Sequence, residues 1–125
     1  MTQLHVLQSV YEDIKSRIQQ RGHDVQVTFP IEEYQYPFVV LDKQEDHNFL
    51  AENRSAYIVF TCYDYAEKRE DILDLIRDIF REFFDNGRDR LPWPLLQAKL
   101  QIETNWHHGK SVTGAEVALH LDLSK

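Results

Sequence analysis

The periodicity of this sequence predicts an α+β fold: a mostly antiparallel five-stranded sheet with two helices packed on one face, in the order helix, three strands, helix, two strands. Three observations carry that prediction. Residues 4–18 and 67–85 repeat their apolar side chains at three-and-four spacing, the period of one helix face. Five other segments alternate apolar and polar residues or are continuously apolar, as strands are. The chain has 125 residues, 42% of them hydrophobic and 12% aromatic, which fits one domain over residues 1–125.

Each element has its own reason. In Leu4 to Ile18, Leu4, Leu7, Val10, Tyr11, Ile14 and Ile18 share a face, and Gly22 follows as a stop with Arg21 near the negative end. Val25, Val27 and Phe29 alternate until Pro30, which ends that strand or marks it as a sheet edge. Pro37 to Leu41 is apolar on both faces and reads as a strand covered on both sides. Asp42 to Arg54 is polar and charged apart from Phe49 and Leu50, which predicts a long loop or hairpin tip of the kind that often carries function. Ser55 to Tyr65 is rich in aromatic and β-branched residues. Its Ala56, Ile58, Phe60 and Cys62 face one way, its tyrosines, Val59 and Thr61 the other. Glu67 to Asp85 has an apolar half wide enough to lie on a sheet, centred on Ile72, Leu75, Ile76, Ile79, Phe80 and Phe83, with Asn86-Gly87 as its stop. Leu91 to Pro94 is a stiff connector. Leu96 to Trp106 and Ala115 to Leu123 each alternate, which predicts one buried and one polar face for both, joined by a hairpin at His107 to Ser111.

The net charge is -7. That argues against a module that grips nucleic acid phosphates or an anionic membrane. The excess is local: residues 31–50 and residues 64–89 carry -4 each. The single Cys62 has no internal disulfide partner and suits a reducing compartment. No basic-then-apolar leader opens the chain and no apolar run approaches about 20 residues, so a soluble protein with no membrane partner is expected.

The usual signatures of chemistry are missing. His107-His108 lacks the spacing of metal-binding histidines. His120 lies on a polar strand face with no nucleophile to serve. Cys62 sits in an apolar register, as a small core residue does. Asp85 to Asp89 lacks the length and closing Glu of a calcium loop, and four scattered glycines make no phosphate cradle. The expectation is a protein that is not an enzyme and has no catalytic residue, metal or cofactor. Protein contacts are the remaining theme. Tyr34, Tyr36, Tyr57, Tyr63 and Trp93 stand near strand ends and connectors, which suits either a subunit interface or the filling of the sheet's second face.

The order of the pieces is distinctive. A helix of about 18 residues leads to YPFVVL at Tyr36–Leu41, a long charged loop, the strand-into-helix run YIVFTCYDYAEKREDILDLIRDI at Tyr57–Ile79, and two alternating strands. This resembles the small tail terminator and tail-completion proteins of long-tailed bacteriophages, the lambda-type terminator in particular. The resemblance implies a homo-oligomer, a hexameric ring that caps the tail tube protein, stops its polymerisation and offers a docking face to the head–tail connector. DNA would pass through the bore without specific binding, and the protein would reside in the virion tail or neck after assembly in the host cytoplasm. The loop between the second and third strands would face the tube, which makes Lys43, Glu45, Asp46, His47, Phe49 and Leu50 candidate tube contacts. Another neck protein (a head–tail stopper or adaptor) and a small dimeric enzyme or ligand-binding domain are the alternatives.

Overall fold

A computed structural model of the protein describes residues 3–32, 35–44 and 55–123. Its elements are α1 (Gln3–Gln20), β1 (Val25–Gln26), β2 (Phe38–Gln44), β3 (Ser55–Tyr65), α2 (Arg69–Phe80), β4 (Phe84–Asp85), β5 (Arg88–Asp89), β6 (Leu95–His107) and β7 (Lys110–Asp122). The fold class is the expected α+β. The main sheet runs β1-β2-β3-β7-β6. It is mixed rather than purely antiparallel, because β1 lies parallel to β2 while the other neighbours are antiparallel.

Both helices lie on one face. Val10, Ile14 and Ile18 of α1 and Ile72, Leu75, Ile76 and Ile79 of α2 join one buried cluster with Val39, Leu41, Ala56, Ile58, Phe60 and Cys62, and with Val117, Leu119 and Leu121 of β7. These are the alternate positions of the strands, so the period-two pattern delivers one whole face to the helices. The Tyr11 hydroxyl donates to the Leu41 carbonyl at 3.0 Å and ties α1 over β2. Gly22 ends α1 with φ 89°, its N–H donating to the Gln19 carbonyl at 2.9 Å. Arg21 does more than complement the helix end: it reaches Asp78 of α2 through two hydrogen bonds of 3.0 and 2.6 Å, and His23 meets the same carboxylate at 2.6 Å.

Four details differ from expectation. The first strand pairs only at Val25–Gln26, and Val27 is exposed. The loop begins later than Asp42, since Asp42, Lys43 and Gln44 stay in register with Val59, Ile58 and Tyr57. The second helix stops at Phe80, where N–H groups of Glu82 and Phe83 tighten onto carbonyls three residues back. Asn86-Gly87 is then no helix stop. With φ of 54° and 77° it forms the two-residue turn of the β4–β5 ribbon, the primed geometry that Asn-Gly favours. Lastly, β6 does not bury its even positions. Leu96, Leu100 and Trp106 are 54%, 52% and 75% exposed, because β6 is the outermost strand and the helix layer leaves it largely uncovered.

Candidate functional site

Two surfaces stand out, on opposite faces of the sheet. The first is β6 itself. Its even side chains look toward the helix side, and a groove of about 550 Å³ separates them from α2. Phe80, Phe84, Ala98 and Leu100 are among the apolar residues that line this groove, with Arg77 and Arg81 beside it. The sequence pattern predicted these β6 side chains as core. The surface role went unseen because alternation shows which residues share a face, not whether a layer covers it. The available signal is that the even positions of β6 include Ala98 and Thr104, a stripe less uniformly apolar than Ala115, Val117, Leu119 and Leu121 of β7.

The second surface is the face away from the helices. Thr61, Tyr63, Gln101, Glu103, Gly114 and Glu116 help line a hollow of about 200 Å³ there. Gly114 makes room for the Tyr63 ring: a Cβ at that position would stand 2.8 Å from Tyr63 Cε1. Burial pushes the Tyr63 hydroxyl up, and the carboxylate of Glu116 adds to the shift.

Three of the aromatic candidates, Tyr36, Tyr57 and Tyr63, lie on this same side. Tyr63 stacks on Phe38 at 5.3 Å and meets Phe29 edge-on at 4.8 Å. Tyr36 packs against Phe38 and Tyr65 at 5.2 and 4.8 Å. Tyr57 lies flat on His120, with ring centres 4.3 Å apart. Trp93 packs, half-buried, against the main core. Tyr36, Tyr57 and Tyr63 are also half-buried, so part of each ring remains at the surface. Tyr34 lies outside the described residues. So do Glu45, Asp46, His47, Phe49 and Leu50 of the predicted tube-contact loop, while Lys43 lies within β2, opposite Ile58.

Cys62 is fully buried, and burial pushes its thiol far above the usual range, as its apolar register predicts. His108-Gly109 forms the tight turn between β6 and β7, with φ of 54° and 76°. No group of His, Cys, Asp and Glu among the described residues is arranged to hold a metal. No described helix is long and apolar enough to cross a membrane. No protein-family model matches the chain, and no curated protein matches it.

Proposed function

We propose that the protein is a structural component of a phage tail, a terminator that forms a hexameric ring on the end of the tail tube and presents a docking face to the head connector. One observation carries the reading. The exposed large hydrophobic residues among those described fall into two unlike groups: Val27 and Ile31, in the segment after β1 whose Phe29 packs over Phe38, Tyr63 and His107, and Leu96, Leu100 and Trp106 along the edge strand β6, with Phe84 across the groove from Leu100. A ring is built from head-to-tail contacts, which need two different patches on each subunit. The acidic balance keeps DNA phosphates from adhering in transit. Six modest tube contacts, with Phe49 and Leu50 as the apolar ones, would add through avidity.

The test is mass measurement of the protein with and without tube protein, followed by binding to tubes and to portal-bearing heads. The expected result is a ring formed on tubes, weakened by Phe49→Ala and Leu50→Ala. No ring on tubes, or binding to heads alone, overturns the reading.

A further inference from the structure

We propose that, away from any tube, two copies of the protein pair antiparallel through β6 about a two-fold axis at Gln101, joining their sheets into one. This goes beyond the tail-terminator reading and does not rest on it.

Three observations converge on this register. The first is hydrogen-bond parity. The β6–β7 hairpin closes on the two-residue turn His108-Gly109, with His107 opposite Lys110. In such a hairpin the pair next to the turn exchanges both backbone hydrogen bonds, and such pairs then recur at every second residue. The odd residues of β6 are thus satisfied by β7. Ala98, Leu100, Ile102, Thr104 and Trp106 turn their N–H and C=O groups outward, along an open edge. A second strand must pair even residue with even residue.

The second is charge. Centring the axis at Gln101 pairs Leu100 with Ile102 and Ala98 with Thr104, short of the bulge between Leu95 and Gln97. It also sets Lys99 directly opposite Glu103, twice, in the pairs where side chains approach most closely. The neighbouring allowed registers, centred on Leu100 or Ile102, set Lys99 against Gln101 or Asn105 and leave both charges unmatched.

The third is extent. This register extends from Ala98 to Thr104, adds about eight ladder hydrogen bonds there, and sets each half-exposed Leu100 side chain against Ile102 of the other copy. The pair also closes on itself. It leaves no β6 edge to recruit a third copy, and the opposite edge, β1, pairs over only two residues. It therefore withholds the β6 patch until the pair comes apart, as a ring using that patch requires.

The experiment uses the full chain in the absence of tube protein, with sedimentation equilibrium and native mass spectrometry. The expected species is a dimer. Lys99→Glu and Glu103→Lys each place like charges opposite one another twice, and each weakens dimerisation by roughly tenfold or more. Mixing the two single variants restores opposite-charge pairs and yields the heterodimer, and the double variant Lys99→Glu/Glu103→Lys restores the homodimer. Leu100→Pro removes an outward N–H and no ladder bond to β7, so it abolishes pairing while the fold, followed by circular dichroism, persists. A monomer at high micromolar concentration overturns the proposal. So does a dimer indifferent to Lys99→Glu, or a mixture of single variants that does not associate. If Leu100→Pro unfolds, the charge variants decide alone.

Discussion

Asp78 ties α2 to the segment that follows α1, and its replacement by Asn measures how strongly. The carboxylate takes two hydrogen bonds from Arg21 and a third contact from His23, across 57 and 55 residues of chain. The Arg21 hydrogen bond is the largest reason its pKa falls from the ordinary 3.8 to about 2. That drop sets a ceiling of about 2.5 kcal/mol on the differential stabilisation. The Asp78 and Arg21 side chains are 33% and 25% exposed, however. Screening by water and salt brings the expected loss in Asp78→Asn to about 1 kcal/mol, or a fall in Tm of about 3–5 °C. The native pKa lies below the unfolded one. The stabilisation is therefore complete above about pH 4 and is lost as pH falls through about 2. Urea unfolding of both proteins at steps from pH 7 to pH 2.5 should show a gap that is full at neutral pH and shrinks within the acid window. A gap that persists undiminished at pH 2.5, or no gap at pH 7, refutes the reasoning.

Three further outcomes follow from the geometry. Gly114→Ala places a Cβ against the Tyr63 ring and should cost about 1–2 kcal/mol in chemical unfolding; the same change in a Tyr63→Val background should cost much less. Asp64 is 3% exposed and accepts the Tyr65 N–H at 2.8 Å, and burial pushes its carboxyl up. A raised native pKa destabilises the ionised form, so Asp64→Asn should stabilise the protein at pH 7, with the gain shrinking as pH falls through the native pKa. The Cys62 thiol should resist an aromatic disulfide reagent at pH 8 in the native protein and react fully in urea.

Most of the fold is legible in the periodicity because burial on one face is what the periodicity records. Ser55–Tyr65 has the predicted bounds, and its Ala56, Ile58, Phe60 and Cys62 are fully buried. What escapes is decided by partners distant in sequence or by coverage. Phe83 continues the apolar stripe of α2 and is buried, yet it lies past the helix end, in the turn that leads to the β4–β5 ribbon. Arg21 and Asp78 carry no pattern of their own and meet only because α1 and α2 pack side by side. The even residues of β6 look as buried as those of any inner strand, since position in the sheet is not written into alternation. The same limit hides the candidate interface, which is made of core-like residues placed where no core forms.

The two-residue turn at His108-Gly109 has a consequence for how the chain finds its fold. β7 sits between β6, its neighbour across that turn, and β3, whose pairing from Tyr65 to Val112 spans α2 and the ribbon. Closing a two-residue loop is fast and costs little entropy, whereas bringing β3 to β7 must organise a long stretch of chain. Local pairing is therefore expected to align β7 on β6 before β3, and through it β2, is laid on it. Because a slip of one residue turns a strand over, a one-residue slip between β6 and β7 would put Glu116, His120 and Asp122 on the sheet face shared with Ala98, Leu100 and Ile102. A turn of two residues thus keeps those side chains out of a core assembled half a chain away.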